Sequence, residues 1–341
     1  MAKITNIEKF YNDLLVKLSL NITRQIDALY NEMINELSTT IKFYKNQSST
    51  NKTLHKEILK IKRDLIVKMQ VITVKKIRDG QALAIIKDEK KLYSYFAGYN
   101  ADKWIKDNLN RTVLNVNLKD ISKRIWEHNK DYFTQVEILM NAGITQGKSS
   151  KEIASILRKL SKNPNSIDIN ELRRLGFDAV GGESKYRQIE RQITNYAPGQ
   201  GIYKSSRKNA YRLARTEINR AYRLQDHLQM SKFEFVKGWR VHLSGQHPRT
   251  DICDSMVGDY PKNFKFSGWH PACICFATPI LAPVSQAAKI ARGQAVNISQ
   301  VRNIPAIAQR YFEKTKKAIN RAKSAPYYLR DNHEFLDQYL K

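Results

Sequence analysis

The chain has 341 residues, 42% of them apolar, enough for two or three domains with cores of their own. Lys and Arg number 59 against 32 Asp and Glu, a formal charge of +27 that favours nucleic acid or an acidic protein surface over neutral partners. The start, MAKITNIEKF, lacks the basic-then-apolar pattern of a secretory signal, and no apolar run approaches the roughly 20 residues of a membrane span, so a cytoplasmic chain with no membrane partner is expected.

No proline precedes Pro164, and the first 140 residues hold only Gly80 and Gly98, so nothing there interrupts long helices. Apolar residues recur at Ile4, Ile7, Tyr11, Leu14, Leu18, Ile22, Ile26, Leu29, Met33, Leu37 and Ile41, the three-and-four spacing of one helical face. A polar break, NQSSTNKT at 46–53, precedes a second stripe through Leu54, Ile58, Ile61, Leu65, Met69 and Ile72, with Lys and Arg on its other faces. Both stripes read as packing surfaces of a bundle. Helices follow around 119–142 and 149–161, the second opened by Ser149 and Glu152 in the spacing of a capping box.

SKNPNSID and the loop NYAPGQG at 195–201 mark a boundary, so 1–161 reads as a helical docking region and 162–204 as a linker with short helices. From Ser205 a strongly helical segment puts Ala210, Leu213, Ala214, Ile218, Ala221 and Leu224 on one side. Phe233, Phe235, Trp239, Val241 and Leu243 then alternate with the period of half-buried strands. Five of the nine prolines lie between 248 and 283, which predicts a small, loop-rich α+β unit over 205–283. From 284 to 341 the chain reads as a basic helical tail, densest in KTKKAINRAK at 314–323, whose Lys314, Lys316, Lys317, Arg321 and Lys323 are candidate phosphate contacts. The expected class is thus mainly α, with one small α+β unit.

WHPACICFATP, residues 269–279, holds two of the three cysteines. Small loop-rich units often need a staple, and in a reducing compartment zinc held by thiolate and imidazole is one. The available ligands are Cys253, His270, Cys273 and Cys275, with His247 in reserve, and a full set of four leaves no open position, hence a structural Zn²⁺ and not a catalytic one. The alternatives are ordinary buried cysteines beside a strand, with His270 capping a turn through Pro271, or a metal-dependent nuclease or hydrolase built on His242, His247, His270 and Asp251. A nucleobase deaminase does not fit, since Pro-Ala-Cys-Ile-Cys is not Pro-Cys-x-x-Cys.

Four segments in order, ARTEINRAY (214–222), GW (238–239), RTDICDSMVG (249–258) and HPACICFATP (270–279), resemble the Mu F-like head-morphogenesis family, the minor head proteins of tailed bacteriophages. ISKRIW and ITQGKSSKEIASIL, within 120–160, look like that family's helical lead-in, whereas the first hundred residues and the tail show no likeness. By the resemblance Thr216 and Glu217 match the family's Thr-Glu pair, Cys253 and Gly258 its Cys/His and Gly positions, and His270, Cys273 and Cys275 its His-Pro-x-Cys-x-Cys end; Ile274 stands where an arginine is usual.

The resemblance implies a non-enzymatic protein present in few copies inside the head near the portal. It would touch portal protein, major capsid or scaffold proteins and packaged double-stranded DNA, and would reside in the virion after assembly in the bacterial cytoplasm.

Overall fold

The computed structural model describes residues 2–45, 51–115, 117–174, 187–198, 202–245, 250–321, 326–333 and 336. The protein is mainly helical, with a small three-stranded antiparallel sheet in its carboxy-terminal half. The helices are α1 (Ala2–Lys45), α2 (Asn51–Tyr95), α3 (Asp102–Asn108), α4 (Leu118–Thr145), α5 (Ser150–Lys162), α6 (Ile169–Arg174) and α7 (Ser206–Met230), followed after the sheet by α8 (Val284–Ala291), α9 (Ala306–Arg321) and α10 (Tyr327–Asp331). The strands are β1 (Val236–His242), β2 (Gly258–Pro261) and β3 (Phe276–Leu281).

Contacts gather the chain into two compact units, one of residues 1–20, 75–116 and 215–341, the other of 21–74 and 117–214. These units cut across the serial division read from the sequence, because α1, α2 and α7 each carry residues of both.

Among the described residues, the unit of 21–74 and 117–214 has helices and no strand. Ile22, Ile26, Tyr30, Met33, Ile34, Leu37 and Ile41 of α1 are buried, as are Leu54, Ile58, Ile61, Leu65 and Met69 of α2. α4 adds Ile121, Ile125, Tyr132, Phe133, Val136 and Leu139, and α5 adds Ile153, Ile156, Leu157 and Leu160. α5 begins in the capping box expected of its sequence: the Glu152 amide donates to Ser149 Oγ at 3.2 Å, and the Ser149 amide to Glu152 Oε2 at 2.7 Å. The segment read as a linker is packed where it is described, since Pro164, Ile167, Leu172, Ile189 and Ile193 are all buried, apolar anchors that its polar flanks concealed.

The other unit holds the sheet, in the order β2-β1-β3. Trp239 pairs with Tyr260 and Pro279, and Val241 with Gly258 and Ala277, so the alternating apolar residues of β1 face one core. Phe233 and Phe235 precede β1 instead of forming its start; they stack on each other with centroids 5.2 Å apart and join Phe96 and Trp104 in an aromatic cluster. The stretch expected to be a tail belongs to this core, with Ile304, Ala308, Phe312, Tyr328, Leu329 and Leu336 buried in it. Ala308 and Phe312 lie one turn apart on α9, so that helix spends its apolar face on the core and keeps only the other face for solvent.

Beside the sheet lies a second kind of interior. Glu8 of α1, Lys87, Asp88 and Lys91 of α2 and Asp226 of α7 are all buried. Lys87 Nζ stands 2.7 Å from Asp226, 3.4 Å from Glu8 and 3.5 Å from Asp88, while Lys91 contacts Glu8 and lies 3.3 Å from Asp88 and 3.8 Å from Asp226.

Candidate metal centre

Cys253 sits in a short 3-10 turn, Ile252–Met256, whose entry is fixed by side chains. Its amide donates to Asp251 Oδ1 at 2.7 Å, and the Asp251 amide donates to Asp254 Oδ2 at 2.7 Å. β2 follows at once, and Gly258 is required at its start: φ is +133°, and a Cβ there would lie 2.7 Å from Pro305 Cγ. The motif glycine is therefore explained by backbone conformation and close approach.

The other ligands come from the loop between β2 and β3. It turns at Gly268, where φ is +101° and a Cβ would meet Arg223 Nη1 at 2.5 Å, and again at Ala272, which holds the left-handed conformation at φ +56° without being glycine. That strained residue is secured: the Ala272 amide donates to Thr216 Oγ1 at 2.9 Å, the Cys273 amide to the His270 carbonyl at 3.1 Å, and the Tyr327 hydroxyl to the same carbonyl at 2.6 Å.

α7 supplies the rest of the grip. Thr216, Asn219 and Arg223 lie three and four residues apart, on one helical face. Asn219 Nδ2 donates to the Cys273 carbonyl at 3.0 Å. The buried Arg223 guanidinium donates through Nη2 to the carbonyls of Cys273 and Cys275, at 2.6 Å each, and through Nη1 to Ser267 at 3.3 Å, while stacking on Phe266 at 5.0 Å.

Cys253, His270 and Cys273 come together: a ligand atom from each lies within 4.8 Å of the other two, and the two thiol sulfurs are 3.8 Å apart. Cys275 neighbours both thiols but falls outside that mutually close set. Hydrogen bonds from Cys253 and Cys275, then from His270, together with the Arg223 charge hold the Cys273 thiol well below the ordinary thiol range against the opposing effect of burial. Its thiol neighbours, Cys273 first, push Cys253 far up. His270 is raised, chiefly by its hydrogen bond with Cys273; Asp251 Oδ2 lies 3.3 Å from Nε2 and the Pro271 carbonyl 3.0 Å from Nδ1, so both ring edges face oxygen.

Two sulfur donors and an imidazole at this spacing can hold a metal ion, and the donor type suits a borderline-soft divalent cation. The carboxylate on the imidazole is the kind of outer contact that orients a ligating histidine.

The remaining candidates are placed differently. Glu217 is half-buried and contributes to raising Arg220, but the Arg220 guanidinium is bonded to Asp331 of α10 at 2.5 and 3.2 Å. His242 stands on β1 with Nε2 3.0 Å from Thr278 Oγ1 and its ring stacked on Phe276, apart from the ligand cluster found among the described residues. His247 and Lys323 lie outside the described residues, as does the side chain of Arg321. Lys314 and Lys317 are exposed on α9 and Lys316 is half-buried.

Sequence reading missed Asn219, Arg223 and Tyr327. The signal available was the polar series Thr216, Asn219, Arg223 on one face of a helix, which a purely solvent-exposed face also displays.

No helix among the described residues is long and apolar enough to cross a membrane. Comparison with protein-family models, with curated proteins and with solved structures finds no match.

Proposed function

We propose that this chain is a minor head protein of a tailed bacteriophage, held in few copies inside the head near the portal. It contacts portal protein, major capsid or scaffold proteins and packaged double-stranded DNA, the last without sequence preference, and it is not an enzyme.

One observation carries the reading: three of the segments that resemble the head-morphogenesis family meet at the thiol centre, and the fourth lies on β1, paired with the strand that follows the third. Thr216 of the first secures the strained Ala272 of the last, Trp239 of the second pairs with Tyr260 just beyond the third, and Cys253 of the third touches Cys273 of the last. A chance scatter of short matches has no reason to converge so.

In this reading the centre binds one structural Zn²⁺ through Cys253, His270 and Cys273, with Cys275 as the fourth ligand. The ion fastens the 3-10 turn to the loop before β3. Exposed Arg310, Lys314 and Lys317, spaced four and three residues apart along one face of α9, offer phosphate contacts, and the charge of +27 suits a place beside packed DNA.

The test is a count. DNA-filled heads, treated with DNase and washed in high salt, are digested and this chain is quantified against portal protein by mass spectrometry. A reproducible low copy number supports the assignment; absence from the particle overturns it. A gel shift with the purified chain checks the DNA contact, whose affinity is expected to fall steeply with salt and to ignore sequence.

A further inference from the structure

The thiol centre has a chemistry of its own beyond ion binding. Cys253 and Cys273 are both buried, at 1% exposure each, with their sulfurs already 3.8 Å apart. A disulfide sets the sulfurs about 2.05 Å apart, so a relative movement of about 2 Å is enough to bring them to bonding distance. The third thiol is a poorer partner for Cys273. It falls outside the mutually close set that Cys253, His270 and Cys273 form, and its carbonyl, like that of Cys273, is held by Arg223 Nη2.

We propose that Cys253 and Cys273 are a reactive dithiol pair that hydrogen peroxide converts to a disulfide, freeing the centre of its metal. The loss of metal rests on the zinc reading above; the formation of the bond does not. The solvent-facing wall of the centre is made by the partly exposed side chains of His270 and Asp251, at 36% and 28%, which suits an oxidant as small as a peroxide better than a tripeptide disulfide.

The Cys273 thiolate attacks one peroxide oxygen and the O–O bond breaks. The departing hydroxide takes up a proton and leaves as water, and Cys273 becomes a sulfenic acid. The Cys253 sulfur then attacks that sulfur and the S–O bond breaks. The second hydroxide leaves as water with the Cys253 thiol proton. Two thiols and one peroxide thus give one disulfide and two waters. The bond joins the turn carrying Cys253 to the loop carrying Cys273, the same two segments the metal joins. The unit is therefore stapled in a reducing and in an oxidising medium by different means.

The experiment uses the full chain purified under reducing conditions. Its zinc content is measured first, peroxide is added, and intact mass, a non-reducing peptide map and released zinc are followed. The expected result is loss of two hydrogens per chain, a peptide linked through Cys253 and Cys273, and one zinc released per link formed. Cys275→Ser should form the same link, and Cys253→Ser should instead accumulate oxygen on Cys273. A link between Cys273 and Cys275, or oxygen uptake by the parent chain without a link, overturns the proposal. Should a variant fail to fold, the parent's own peptide map decides. A reduced chain that lacks zinc yet forms the link sinks the zinc reading alone; a zinc-loaded chain that forms no link sinks this one alone.

Discussion

The unit that contains the sheet has two buried polar clusters, and they solve the same electrostatic problem in opposite ways. The cluster of Glu8, Lys87, Asp88, Lys91 and Asp226 is closed: two ammonium groups face three carboxylates, and one retained proton makes the set neutral. Burial first, then the charge of Asp226, drives the Asp88 carboxyl well above the usual carboxylate range. Asp226 is lowered, Lys87 being the foremost of the charges that do it against the cost of burial. The thiol centre is open by contrast: Arg223 Nη1 and Nη2 donate to backbone carbonyls, and the sulfurs of Cys253 and Cys273 face one another. The closed cluster specifies packing, whereas the open one gathers donor atoms that can share an ion.

The largest effect is expected from breaking the closed cluster. Lys87→Met takes from Asp226 its nearest ammonium and leaves Lys91 alone to face three carboxylates, and loss of one partner of a buried pair costs about 3–5 kcal/mol. Urea denaturation should show a shift of that size, and an unchanged midpoint would mean that the cluster is hydrated in solution. Chelation probes the open cluster. On the proposed zinc binding, removing zinc supplied at 100 times its dissociation constant should lower stability by about 2.7 kcal/mol and depress the melting temperature, while the chelator should leave a Cys273→Ser chain unaffected. Smaller again is Asp251→Asn, which keeps every ligand but weakens the orientation of His270. Zinc affinity should fall about 10- to 100-fold in a competition titration, with far-ultraviolet circular dichroism unchanged.

The smallest change at neutral pH is expected of Asp88→Asn, because the amide mimics the protonated carboxyl; the cost should stay under about 1 kcal/mol. Its mark is the pH profile. Asp88 is raised in the fold, so its contribution to stability is fully present below the unfolded value of about 4 and is lost as pH rises through the folded one. Asp226 is lowered, so its contribution is present above about 4 and is lost as pH falls through its folded value. The variant should therefore flatten the decline toward high pH and leave the acid limb in place. Melts across the range distinguish the two limbs, with Glu8, Lys87, Lys91, Tyr222 and His227 as other titratable neighbours of Asp88 and Asp226; burial lowers His227 to about 4, so it adds to the acid limb in parent and variant alike.

What the sequence made legible follows the same division. The stripes of α1 and α2, the capping box at Ser149 and the alternation through Trp239 and Val241 are periodic, and period is what a buried apolar face imposes on sequence. Cys253, His270 and Cys273 were legible because their residue types are scarce and chemically specific. Asn219, Arg223, Lys87 and Lys91 were not, because a polar residue on a helix looks the same whether it faces water or a partner distant in sequence. The supposed tail failed for a related reason: Ala308 and Phe312 mark an amphipathic helix, but nothing local says against what its apolar side packs.

The discontinuity of the sheet-bearing unit has a consequence for synthesis. Its core joins Leu92 and Phe96 to Trp239, Phe312 and Leu336, the most distant of them separated by more than two-thirds of the chain, so the high contact order predicts slow closure. On the ribosome the early residues of this unit wait, with Lys87, Asp88 and Lys91 still solvated, until Asp226 and then the last core residues have emerged from the exit tunnel. Premature termination anywhere before Phe312 would leave that apolar surface uncovered, a substrate for chaperones and proteases and not a smaller working protein.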